Sequence, residues 1–236
     1  MSEAYIIDAV RTPRGIGKLG KGALAGFHPG RLLAKVFEAV EERNGIKTDE
    51  IDDVVVGCSS QVGKQGSCVG RMAALDAGWS TKASAVTLDR FCGSGITSVN
   101  LAAANIMSGM DDLCVAGGVE MMSYTATLSS ENENRTVDGG NLHLRDIHPQ
   151  PHQGICADMI ATLEGFTRED LDRLAVESQN RAQNAITNYH FEKSLIPVYD
   201  DEKNLILGRE EFPRPGTTMQ TLSDLPGRRL APFGSA

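Results

Sequence analysis

Apolar residues fall along the chain in two rhythms. AYIIDAV (4–10), DDVVVG (52–57), SAVTLDR (84–90) and DDLCVAGG (111–118) are short apolar runs bounded by turn residues, the mark of buried strands. Between them the spacing turns helical. In RLLAKVFEAVEERNG, residues Leu32, Leu33, Val36, Phe37 and Val40 form one stripe that ends at Gly45, a C-cap residue. VGRMAALDAG (69–78) predicts a short helix and GSGITSVNLAAANIMSG (93–109) a long one rich in small residues. Strands separated by helices imply parallel pairing through right-handed crossovers, so the segment to about Gly118 is expected to be an α/β unit.

After EMMSYT (120–125) the rhythm is lost in a polar stretch, SSENENRTVDGGNLHLRDIHPQPHQG. A long irregular excursion inside a compact chain is usually functional. Two helices are expected next, GICADMIATLEG (154–165) and a longer one running from Thr167 to Lys193, with acidic residues in its first turn. The remainder, from Ile196 onward, reads as strand and turn.

Composition narrows the class without naming a function. Residues number 236, enough for one large or two small domains, and 25 glycines suit an architecture with many strand-to-helix turns. The balance of 31 acidic to 23 basic residues gives a formal charge of −8, and the basic residues are scattered. Nucleic acid and anionic membrane surfaces are therefore not expected partners. Five cysteines, Cys58, Cys68, Cys92, Cys114 and Cys156, lack the paired spacing of a zinc site, and no metal is expected. With no signal-like or bilayer-spanning run, free thiols in a cytoplasmic setting are the simplest expectation.

The glycine loop GIGKLG (15–20) matches a dinucleotide fingerprint and, with Lys21, most of a phosphate-binding loop. Both matches fail on context: Gly22 stands where the hydroxyl would be, and no helix follows. A flexible loop is expected. Cys92 in DRFCGSGITS is better placed, between a strand and a helix, where unpaired amides and the helix dipole favour a thiolate. Gly93 and Gly95 would permit a sharp turn and let a bulky substrate approach, as at a nucleophile elbow. A buried structural cysteine is the competing reading, and it is the one expected for the other four. His152, before a helix, is either a ligand-binding imidazole or a solvated loop residue. Arg214, between Pro213 and Pro215, is a stiffly held guanidinium suited to an adenine ring or a phosphate, or a plain surface arginine.

Three segments together resemble the thiolase family of acetyl-CoA acetyltransferases and 3-ketoacyl-CoA thiolases, over residues 4 to about 225. VRTPRG (10–15) is similar to its R-[ST]-P-x-G signature, residues 89–123 to its nucleophile segment ending in G-G-x-E-x-M-S, and ESQNRA (177–182) to its S-Q-x-[KR]-A helix. The resemblance implies a mixed five-stranded sheet with helices on both faces plus a loop domain. It implies domains of 1–123 for the first part of the α/β core, 124–225 for the loop domain covering coenzyme A and the return towards the core, and 226–236 for an atypical tail. Cys92 becomes the nucleophile that takes the acyl group as a thioester, its own backbone N–H serving an oxyanion hole. His152, Arg214 and Thr221 match positions that contact coenzyme A, and Leu144 the same tunnel. Coenzyme A or acyl-CoA is then the substrate, with no covalently bound cofactor.

Two departures qualify the expectation. Gln153 replaces the methionine of the short-chain biosynthetic branch, which leaves acyl length open. The family's second-half motifs, G-H-P, C-x-G-G-G and N-E-A-F, do not occur, and none of His28, His143, His148, His152 and His190 fits the first. On that reading the chain lacks its second half, exposes an apolar face, and partners as a homo-oligomer or with a separate C-terminal thiolase half. A non-catalytic module binding coenzyme A, or a ketosynthase-like decarboxylating enzyme, are the competing functions.

Overall fold

A computed structural model describes residues 3–128 and 138–225. The chain divides into two compact units, one of residues 1–128 with 192–212 and one of residues 129–191 with 213–236. The polypeptide thus leaves the first unit, builds most of the second, returns to the first over 192–212 and ends in the second.

The first unit is built on three parallel strands, β1 (Asp53–Gly57), β2 (Ser84–Leu88) and β3 (Cys114–Gly118), in the order β2-β1-β3. Helix α1 (Pro29–Asn44) precedes them, α2 (Val69–Asp76) joins β1 to β2, and α3 (Ser94–Ser108) joins β2 to β3. The two crossovers run in opposite directions across the sheet, so right-handedness puts α2 and α3 on opposite faces. Strand β1 shows the result. Val54, Val56 and Cys58 join the core formed with Leu33 and Phe37 of α1 and Ala73 and Ala74 of α2. Gly57, of the other parity, lies against Ser94 and Gly95 of α3. Phe37 stacks on Trp79 at 4.7 Å between ring centroids, closing the α1 and α2 layer.

Strand register begins at Asp52. Its amide donates to Leu113 O, and its carboxylate accepts from the amides of Asp112 and Leu113, at 2.7 and 3.0 Å. Those bonds hold the Asp52 carboxyl below its usual range and fix where β3 starts beside β1.

The described sheet is smaller than the mixed five-stranded one expected. Two short strands, β4 (Val198–Tyr199) and β5 (Leu205–Leu207), pair antiparallel in a separate sheet, and AYIIDAV enters no ladder. Tyr5, Ile6 and Ile7 are each more than three-quarters exposed. The run has a strand's composition, but no described strand lies alongside to accept its backbone. It is tied down by side chains instead: Asp8 accepts from Arg43 and Asn44 at the end of α1.

The second unit holds α5 (Leu142–Ile147), α6 (Gln153–Glu164), α7 (Arg168–Thr187) and α8 (Met219–Ser223); α4 (Met122–Leu128) belongs to the first. The long helix begins as expected, with Thr167 and Asp170 forming a reciprocal capping box, but stops at Thr187 rather than Lys193. Tyr189 then takes a left-handed conformation, φ 56°, which turns the chain. The tail 226–236 lies outside the described residues.

Candidate active site

All three strands of the first sheet end on the same side, and α3 starts there. Between β2 and α3 the chain makes a tight turn over Asp89 to Gly93. Phe91 sits at φ 49°, a left-handed conformation that costs an aromatic residue on the order of 1–3 kcal/mol. A dense set of bonds holds it. Asp89 Oδ1 accepts from Phe91 N at 2.7 Å, and Arg90 O accepts from Gly93 N at 3.0 Å. The Ser94 hydroxyl, nearly buried, accepts from Arg90 N at 2.8 Å and donates to Phe91 O at 2.6 Å.

The turn presents Cys92, which is exposed, one residue before the Gly93 N-cap of α3. In the first turn of that helix Ser94 N is already given to Phe91 O at 3.1 Å, and a side chain on Gly95 would meet only open space. A reactant can therefore reach both the sulfur and the helix N-terminus. The buried-cysteine alternative for Cys92 does not hold.

What lets α3 start there is Gly57. A Cβ on Gly57 would lie 2.4 Å from Ser94 C and 2.7 Å from Gly95 N, so the helix rests directly on strand backbone. On its other side Gly57 O accepts from Val119 N at 3.1 Å, and a Cβ on Gly118 would fall 2.8 Å from the same oxygen. Neither Gly57 nor Phe91 stands out in the sequence. Glycines at strand ends were the only available signal. Gly93, with φ −88°, needs no glycine-only conformation.

The GIGKLG loop is held rather than flexible. Glu210 pairs with Arg11 at 2.5 Å and accepts from Arg14 N; Glu211 accepts from Ile16 N at 2.9 Å and Ala23 N at 3.1 Å. Of the loop's amides, Ile16 N is given to Glu211 and Lys18 N to Ile16 O, and the following Lys21 N and Gly22 N both go to Lys18 O, so these donors are spent within the chain rather than turned to a phosphate.

Cys92 lies in the first unit; Leu144, His152, Arg214 and Thr221 lie in the second. His152 is the N-cap of α6, its Nδ1 accepting from Gly154 N at 3.1 Å. With Nδ1 taken as an acceptor, Nε2 is the ring nitrogen left to donate to a ligand. Arg214 donates its backbone N–H to Gln179 of the ESQNRA helix at 2.8 Å, while its exposed guanidinium makes no ion pair among the described residues. Thr221 completes a capping box with Thr218 at the start of α8. Leu144 is half-buried in α5, its amide bound to Asn141. No bond links any two of these four directly.

The cap at His152 can be separated from the ligand contact expected of it. His152→Asn should keep an acceptor for Gly154 N and hence the stability of α6, whereas His152→Ala should lose about 1 kcal/mol. If Nε2 contacts a ligand, both variants should weaken coenzyme A binding alike in a calorimetric titration. Binding that follows only the melting temperature would leave His152 a cap and nothing more.

Among the described residues no three His, Cys, Asp or Glu side chains come together as metal ligands would, and no helix is long and apolar enough to cross a membrane.

Comparison with known proteins supplies the family. A family described as "Thiolase, N-terminal domain" matches residues 4–228. A beta-ketoadipyl-CoA thiolase of Acinetobacter baylyi is 33% identical over 243 residues, covering 96% of this chain and 60% of its own length. A steroid 3-ketoacyl-CoA thiolase of Mycobacterium tuberculosis is 36% identical, covering 84% of this chain and 50% of its own length. An acetyl-CoA acetyltransferase of Cupriavidus necator is 34% identical over 95% of this chain and 59% of its own length. The chain thus spans 50 to 60% of the length of these relatives. With the match running across both units and through the Cys92 turn, this chain belongs to the thiolase family, as its N-terminal domain.

Proposed function

We propose that this chain carries the acyl-accepting cysteine of a thiolase acting on acyl-CoA thioesters. The Cys92 thiolate attacks the 3-keto carbon of a 3-ketoacyl-CoA, the C2–C3 bond breaks with its electron pair on C2, and protonation there releases acetyl-CoA. The acyl group stays on Cys92 as a thioester until coenzyme A thiol takes it. In the synthetic direction the same sulfur displaces coenzyme A from acetyl-CoA, and the acetyl group is then transferred to C2 of a second acetyl-CoA. The observation that carries this reading is an exposed Cys92 on a strained turn one residue ahead of the α3 N-cap. Gly93 N and Ser94 N are taken by Arg90 O and Phe91 O, so on this reading it is the backbone N–H of Cys92 itself that serves the oxyanion of the tetrahedral intermediate.

On this reading the second unit is the loop domain. The exposed Nε2 of His152 and the exposed guanidinium of Arg214 supply donors for coenzyme A, with Thr221 and Leu144 as further contacts; coenzyme A is substrate, not a resident cofactor. The chain works in the cytoplasm. It partners with a second copy or with a C-terminal thiolase half. Support for such a partner comes from α3, which leaves Ile96 and Val99 exposed one turn apart, and Leu101 exposed on a different side. The base and acid that complete the reaction belong to the motifs this sequence does not contain.

The exposed donors of His152 and Arg214 in the second unit favour a non-catalytic module that binds coenzyme A as the second reading. Incubation with acetyl-CoA followed by intact mass analysis separates the two. An acetyl adduct that disappears in Cys92→Ala is expected. Coenzyme A binding without any adduct would favour the module.

A further inference from the structure

Gln65 closes the short turn Gly63–Gln65 and is fully enclosed. A buried amide must find partners for both ends. Its Oε1 accepts from Met121 N at 2.7 Å, and its Nε2 donates to Ser60 O at 3.0 Å and to Glu120 Oε1 at 2.9 Å. The other oxygen of Glu120 accepts from Ser59 N at 2.8 Å and Ser60 N at 3.3 Å. These two side chains join the segment leaving β1 to the segment leaving β3. Gly57 is the last residue of β1, its carbonyl bound to Val119 and its Cα against Ser94 and Gly95. The backbone that Gln65 and Glu120 fix is therefore the floor on which the first turn of α3 stands.

We infer that Gln65 and Glu120 are positioning residues for the Cys92 turn. Apolar side chains would fill the same space but leave the amides of Ser59, Ser60 and Met121 and the carbonyl of Ser60 unpaired. Both strand exits would then be free to shift, and Gly57 with them. The pair touches no reactant; it sets the height and direction from which Cys92 is presented. Its importance rests on Cys92 being the nucleophile, but its test does not need acyl transfer.

Gln65→Glu keeps shape and volume while setting a second carboxylate against Glu120 and Ser60 O. The exchange Gln65→Glu/Glu120→Gln restores one charge and one amide. Carbamidomethylation of Cys92 by iodoacetamide at fixed pH, read peptide by peptide, is the measurement, with Cys156 in the second unit as the internal reference. In Gln65→Glu the Cys92 rate should fall about tenfold while Cys156 is unchanged, since a shifted turn changes the exposure and surroundings on which a thiol's reactivity depends. The exchange should recover part of the loss, because the new amide at 120 can donate to the carboxylate at 65 while Ser60 O stays without its donor. Where Gln65→Glu fails to fold by circular dichroism, Glu120→Gln, which keeps acceptors for Ser59 and Ser60, should give a smaller fall in the same rate. A folded variant labelled at the unaltered rate, or an exchange that recovers stability but not the rate, would overturn the inference. Absence of an acetyl adduct on the unaltered chain, with these rates behaving as stated, would instead count against the thiolase reading alone.

Discussion

Replacing Gly57 with alanine should destabilise the first unit by about 3 kcal/mol or more and slow modification of Cys92 in whatever fraction remains folded. The added methyl would lie 2.4 Å from Ser94 C and 2.6 Å from Ser94 O, both backbone atoms. Overpacking by a single carbon ordinarily costs about 1–3 kcal/mol because side chains give way. Here no side chain can. Either α3 lifts off β1, taking Cys92 with it, or the end of β1 drops into the core around Val56 and Ala73. Urea unfolding monitored by far-ultraviolet circular dichroism gives the stability, and iodoacetamide labelling gives the position of the turn. Gly95→Ala is the natural contrast, since its methyl meets only open space and alanine suits a helix better by about 0.5–1 kcal/mol. A Gly57→Ala chain as stable as the unaltered one would show that α3 is not seated on β1.

That contrast reverses the weight the sequence placed on its glycines. Glycines next to Cys92 drew the attention, yet the close approach happens at Gly57, 35 residues away in the chain. Sequence spacing marks where a turn is, not which distant backbone lies under it. Elements defined by local chemistry were legible for the same reason: Gly45 ends α1 in a left-handed cap, and Thr167 opens α7 with its capping box. The apolar run AYIIDAV was misleading because a strand needs a neighbour, and composition cannot supply one. His152 was legible as chemistry but not as a cap, and GIGKLG as a loop but not as one pinned by Glu211. Glu120 lay in plain view within the family's segment. Only its bonds to Ser59, Ser60 and Gln65 give it a part.

The thiols of the first unit should differ in reactivity by two orders of magnitude or more, with Cys92 labelled first. Cys58 is enclosed in the core at the end of β1, and that burial, aided by the nearby Glu120, pushes its thiol up to about 11. Cys114 is pushed up to about 12, first by burial and then by its hydrogen bond to Asp111 at 3.1 Å. Measured from the ordinary value of 9.0, these shifts leave roughly 100-fold and 1000-fold less thiolate at pH 8. Only the thiolate is alkylated, so both should react when the fold opens and scarcely before. Stability carries the same sign. Below about pH 9 both thiols are protonated whether folded or not, and their burial costs nothing extra. Above it the unfolded chain ionises them while the folded chain resists, so stability should decline as pH rises from about 9 through 11 and 12. Labelling at pH 8 in increasing urea tests both statements at once: Cys58 and Cys114 should appear together, with the midpoint of unfolding, and after Cys92 is already saturated. Early labelling of Cys58 would mean that the junction of β1 with the Gln65 and Glu120 bonds opens on its own, and the floor beneath the Cys92 turn would then be looser than its hydrogen bonds imply.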